Sequence, residues 1–189
     1  SVVALDNGHY VTGGSLRQAI NTPNRPMLTL FDENGEYIDH RLFGNYEYNE
    51  GWAKINPLAD GNFIMCASKQ ENGDEDLFFL TKLDENLDSI WEQEYDLGSS
   101  LTSFKQLKEN EDGSLIGVGG WADPPTAYQY GVIMKFDSEG ERIWERKYQH
   151  ADEGWAQLNV LYDVIEIPEN GGYVACGERN ELDTGQNAW

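Results

Sequence analysis

Apolar positions in this chain fall in short runs broken by Asp, Asn and Gly, and nowhere do they hold a sustained helical spacing. Residues 62–67 (NFIMCA) and 172–177 (GYVACG) are apolar stretches that begin directly after a glycine turn. Residues 77–83 (LFFLTKL) and 131–136 (GVIMKF) run into a second kind of turn. Residues 89–95 (SIWEQEY) and 142–148 (RIWERKY) leave that turn with apolar and polar positions alternating. A period of two marks a half-buried strand, because successive side chains of a strand point to opposite faces. No run carries helix caps at its ends. The chain reads as all-β.

The runs also repeat. The turns Asp6-Asn7-Gly8, Asp60-Gly61, Asp112-Gly113 and Asn170-Gly171 place their glycines 53, 52 and 58 residues apart. A second turn family opens at Asp32, Asp84 and Asp137, spaced 52 and 53 residues apart. Ile38, Ile90 and Ile143 keep that register, as do Phe43, Tyr95 and Tyr148. Val2, Ile55, Leu107 and Ile165 each stand six residues ahead of a turn glycine. Each repeat of about 52 residues thus holds four strands, a to d, joined by turns that favour antiparallel neighbours.

Such a unit matches one blade of a β-propeller, a ring that takes about 4–8 blades to close. An open β-solenoid fits less well, because its coils are shorter than this period. The expected fold is a β-propeller of four-stranded antiparallel blades, of which this chain supplies about 3.5 as one partial domain. The units are 1–48, 49–98, 99–155 and a truncated 156–189, and further blades of the same chain are expected outside the sequence.

The Lys-x-Asp turn followed by Ile-Trp, seen at Lys82, Asp84, Ile90 and Trp91 and again at Lys135, Asp137, Ile143 and Trp144, resembles a repeat of exported Bacteroidota proteins. Residues 170–177 (NGGYVACG) match the other half of that repeat. The first unit departs from it, with Leu30 before the turn and Asp39 at the tryptophan position. The resemblance implies a propeller-like module in a secreted or surface-attached protein, of the kind sorted by type IX secretion. The same motif is similar, more weakly, to quinoprotein (PQQ) propeller repeats. In both families the tryptophan packs between blades.

Charge narrows the partners. With 13 basic and 34 acidic residues the formal net charge is −21, which repels a phosphate backbone and an anionic membrane surface. Neither nucleic acid nor membrane insertion is expected; a protein or a glycan is. Cys66 and Cys176 occupy equivalent positions in non-adjacent units, so they are expected to be reduced and buried rather than bridged. No zinc, phosphate-loop or hydrolase motif occurs. The histidine positions are not repeated either, with Asn62 standing where the first unit has His9. No cofactor is expected, with Ca²⁺ at residues 71–76 (ENGDED) as the one cation candidate.

Within a blade, the a–b and c–d turns lie at one end and the b–c and d–a connections at the other. The first set is short and repeated. The second reads as long and variable, at residues 16–25, 69–76, 121–129 and 178–186 for b–c, and 45–51 and 149–159 for d–a. Variable loops on a rigid scaffold are where binding concentrates. The expected binding set is Tyr46, Tyr48, Trp52, Trp121, Asp123, Tyr128, Asp152, Glu153 and Trp155, a mixture of aromatic and acidic groups suited to sugar stacking or protein contact. For Trp52 and Trp155, both in Glu-Gly-Trp-Ala, the alternative is closure of the blade junction. The function expected is a non-catalytic interaction module outside the cell. The alternative is an enzyme, either a quinoprotein-like oxidoreductase or a propeller acting on polysaccharide.

Overall fold

The computed structural model describes residues 1–20, 22–44, 49–51, 53–71, 75–98, 103–123, 129–148, 159–167, 171–181 and 185–188. Among them every regular element is a β-strand, and no helix is long and apolar enough to cross a membrane. Two compact units divide the chain, residues 1–95 and 96–189.

In the first unit, β1 (Val2–Ala4), β2 (Tyr10–Leu16), β3 (Arg25–Phe31) and β4 (Tyr37–Leu42) form sheet A in chain order. Sheet B holds β5 (Asn49–Glu50), β6 (Lys54–Pro57), β7 (Phe63–Glu71), β8 (Glu75–Leu83) and β9 (Ser89–Asp96). Both β5 and β6 pair with β7, so strand a of this blade is interrupted rather than single. Residues 45–51 were expected to be connection throughout; β5 instead pairs Asn49 with Gln70 and Glu50 with Lys69.

The second unit holds sheet C, made of β10 (Ser103–Glu109), β11 (Leu115–Ala122), β12 (Gln129–Phe136) and β13 (Arg142–Tyr148). Sheet D follows with β14 (Asn159–Ile167), β15 (Gly172–Glu181) and β16 (Gly185–Ala188). The pairings within sheets A, C and D, and those of β5, β6 and β8 with β7 in sheet B, are antiparallel.

The cores sit between sheets. In the first unit Val3, Val11 and Leu28 of sheet A meet Ile55, Phe63, Met65, Phe79 and Leu83 of sheet B and Leu87 of the β8–β9 turn. In the second, Ile116, Val118 and Ile133 of sheet C meet Leu161 and Val164 of sheet D, with Trp144, Tyr173 and Ala175 packed at the margin. Full burial of such a side chain contributes about 1.5–3 kcal/mol, and these faces are what hold one sheet on the next.

Backbone contacts reinforce the A–B junction. The Ala53 N–H donates to the Gly14 carbonyl at 2.9 Å, and the Ile55 N–H donates to Ser1 Oγ at 2.9 Å. Gly13 lies close against the next sheet: a Cβ there would lie 2.5 Å from the Ala53 carbonyl oxygen.

Two further expectations need correction. Cys66 is buried, and burial pushes its thiol up to about 12, but Cys176 is exposed. On β15 the alternate residues Tyr173 and Ala175 turn to the core, which leaves Cys176 with Val174 on the other face. Both thiols are free. The b–c connections are also shorter than the polar composition suggests. β7 runs to Glu71 and β8 starts at Glu75, while β15 runs to Glu181 and β16 starts at Gly185. An antiparallel ladder is made by backbone groups, so polar side chains do not end it.

Candidate functional site

The a–b and c–d turns form one end of each blade and share a common design. Gly8, Gly35, Gly61, Gly113, Gly140 and Gly171 are all left-handed. Asp32, Asp84 and Asp137 each use Oδ1 to accept two backbone N–H groups, two and four residues on. Those bonds hold the Asp32 and Asp84 carboxyls below the usual carboxylate range. At the fourth position of the pattern, where the sister turns have Gly35 and Gly140, Leu87 takes a φ of 64° without being glycine. Its side chain is buried in the A–B core, and that burial holds the turn.

Leu87 also forms one wall of an open-mouthed cavity of about 260 Å³ between sheet A and the β8–β9 turn. Leu5, Leu28 and Leu30 complete an apolar floor. The rim is polar, with Asn7 and His9 from the first turn, Asp39, His40 and Arg41 from β4, and Asn86 opposite. Asp39 accepts the His40 N–H at 2.8 Å and Arg41 Nη1 at 2.5 Å, which holds its carboxyl below the usual range. The Tyr37 hydroxyl lies 2.7 Å from His40 Nδ1. The rim is therefore a set of donors and acceptors around the Asp39 carboxylate, with a second carboxylate from Glu85 on the side of Asn86.

At the opposite end, Trp121 lies within β11, paired with Tyr130, and not in the connection that follows. Its Nε1 donates to the Leu97 carbonyl at 2.9 Å. Lys147 Nζ sits 3.4 Å from the ring centroid, and the Tyr130 ring lies 5.4 Å away, tilted by 56°. The indole is clamped and only partly exposed. Asp123 comes next after the strand end at Ala122. Of the other expected binding residues, Tyr46, Tyr48, Trp52, Tyr128, Asp152, Glu153 and Trp155 lie outside the described residues. The candidate Ca²⁺ stretch at 71–76 likewise has no described side chains. Among the described residues no group of three His, Cys, Asp or Glu is placed to hold a metal.

No family model matches the chain, and no curated protein matches it in sequence. In three dimensions it is similar to the endo-arabinase of Bacteroides thetaiotaomicron, a propeller protein, with a TM-score of 0.56. The alignment covers 100% of this chain and 72% of that one at 10% identity. The fold is a β-propeller. A second alignment, to the β-propeller domain of the trilobed protease from Pyrococcus furiosus, has a TM-score of 0.42 and 13% identity over 96% of this chain and 53% of that one. At these identities the likeness is one of fold alone.

Trp144 does what a tryptophan of a propeller repeat is expected to do. It packs from sheet C onto sheet D, with its ring 5.9 Å from that of Tyr173 in an edge-on arrangement. The cavity rim had no signal in any single residue. Its signal lay in the departures of the first blade at Leu30 and Asp39, which become meaningful only once the strands are in register.

Proposed function

We propose that the chain is a non-catalytic binding module of an exported bacterial protein, working through the b–c and d–a end of its blades on a protein or a glycan. The observation that carries this reading is the clamped indole of Trp121 at the end of β11. An aromatic already fixed by a hydrogen bond and a cation loses little freedom on contact, so more of its burial appears as affinity. The carboxylates of the opposite turns, by contrast, bind backbone N–H groups of their own turns and so serve the scaffold. The repeat's resemblance to exported Bacteroidota modules supports an extracellular or surface location, with type IX secretion as the route. The acidic charge of −21 favours a basic or neutral partner.

The test is a hydrogen-exchange footprint of the chain with a ligand found on a glycan array. Protection is expected at residues 45–48, 123–128 and 149–158. A Tyr46→Ser, Tyr128→Ser double variant is expected to lose at least about tenfold in affinity with an unchanged melting temperature. Protection confined to the Asp-Gly turns would overturn the reading.

A further inference from the structure

Aligned by register, three positions of the first blade depart together from its sisters. Val11, Leu30 and Asp39 are cross-strand partners in sheet A, as Ile116, Lys135 and Trp144 are in sheet C. A β-bulge follows Leu30 and Lys135 alike, so the two sheets present strand d in the same way. In the third blade Lys135 Nζ pairs with Asp112 at 3.3 Å, and Lys135 is the cross-strand partner of Trp144. In the second, Lys82 pairs with Asp60 at 2.8 Å, and Trp91 holds the tryptophan position. The first blade has Asn7 for the aspartate, Leu30 for the lysine and Asp39 for the tryptophan. All three replacements line the 260 Å³ cavity. An ion pair and an indole have given way to an amide, a leucine and a carboxylate around an open space.

We propose that this cavity receives the indole side chain of a tryptophan presented by a partner polypeptide. Its floor of four leucines matches the flat apolar body of an indole, which the third blade supplies from its own chain at the equivalent place. Asp39 keeps acceptor capacity beyond its bonds to His40 and Arg41, since a carboxylate has about four lone-pair sites, and it takes the indole N–H. The Arg41 guanidinium beside it favours the face of an aromatic ring. The amides of Asn7 and Asn86, held within their own turns by His9 and Asp84, keep acceptor capacity on their oxygens for a peptide N–H beside the tryptophan. The site lies at the turn end of the blade, so it is independent of the loop-end reading above.

The experiment titrates N-acetyl-L-tryptophanamide into the full 189-residue chain while following leucine methyl resonances. Saturable shifts are expected at Leu28, Leu30 and Leu87, with a dissociation constant on the order of 1 mM for so small a probe. Asp39→Trp fills the space from within, so it is expected to abolish the shifts and raise the melting temperature. Asp39→Asn keeps the shape and loses the charge, and is expected to weaken binding by about 3- to 10-fold. If Asp39→Trp does not fold, the Asp39→Asn affinity decides, and an unchanged value overturns the proposal. It is also overturned by no saturable shift, by equal binding of N-acetyl-L-leucinamide, or by D-glucose or L-arabinose shifting the same methyls more strongly than the indole does. Tyr46→Ser with Tyr128→Ser should leave this titration unchanged, which separates its failure from failure at the loop end.

Discussion

Leu87 shows how a single residue can hold a turn against its own backbone preference. Its sisters Gly35 and Gly140 adopt the left-handed conformation without steric conflict, whereas a leucine at φ 64° costs about 1 kcal/mol. Burial of the side chain at 7% exposure returns about 2 kcal/mol. Leu87→Ala keeps the strain and loses the burial, so a loss of about 2–3 kcal/mol is expected in urea unfolding. Leu87→Gly loses the burial but relieves the strain, and is expected to cost only about 1 kcal/mol. Glycine should therefore outrank alanine, and the reverse order would show that packing does not hold this turn. Asp60 and Asp112 contribute to the acid response. The Lys82 ammonium beside Asp60, and the Ser114 hydroxyl and N–H on Asp112, hold both carboxyls down at about 2, against an ordinary 3.8. A depressed carboxylate stabilises the fold above its ordinary value and ceases to do so as pH falls from 3.8 towards 2. Melting temperature should fall across that window, and Asp60→Asn should start lower at neutral pH and flatten part of the fall.

At the scale of elements, the turns were legible and the strand ends were not. Asp and Gly announce a turn because left-handed backbone and side-chain capping need those residue types. The end of a ladder needs no residue type at all, which is why Trp121 and residues 178–181 read as connection although they belong to β11 and β15. Cys176 was misread because equivalence along the repeat does not ensure that both faces of a sheet are covered. The cavity was half visible: Leu30 and Asp39 stand out as departures, but only the β3–β4 register turns them towards one space. Junctions between sheets carry a similar hidden demand. Gly13 looks like an ordinary strand glycine, yet any Cβ there meets the Ala53 carbonyl of the next sheet. Gly13→Ala is expected to destabilise the chain by about 2 kcal/mol, and a shift below about 0.5 kcal/mol would show that the junction yields.

For the molecule as a whole, the outermost strands β4, β9 and β13 each end their sheet and repeat one exposed isoleucine. Ile38, Ile90 and Ile143 are 42%, 52% and 55% exposed. A strand that ends a sheet offers its unpaired N–H and C=O groups to any other chain, and an apolar side chain on it rewards that pairing. Around these isoleucines stand Asp39, Arg41, Glu92, Glu94, Arg142 and Glu145, charged residues that interrupt the apolar edge. Sheets A, B and C each carry an exposed isoleucine on such an edge, and the net charge of −21 opposes the approach of neighbouring copies. As pH falls and the carboxylates are neutralised, light scattering from a dilute solution should rise well before the far-ultraviolet circular dichroism changes. Ile90→Lys with Ile143→Lys should suppress that rise, and scattering that tracks unfolding in both proteins would place the origin of association elsewhere.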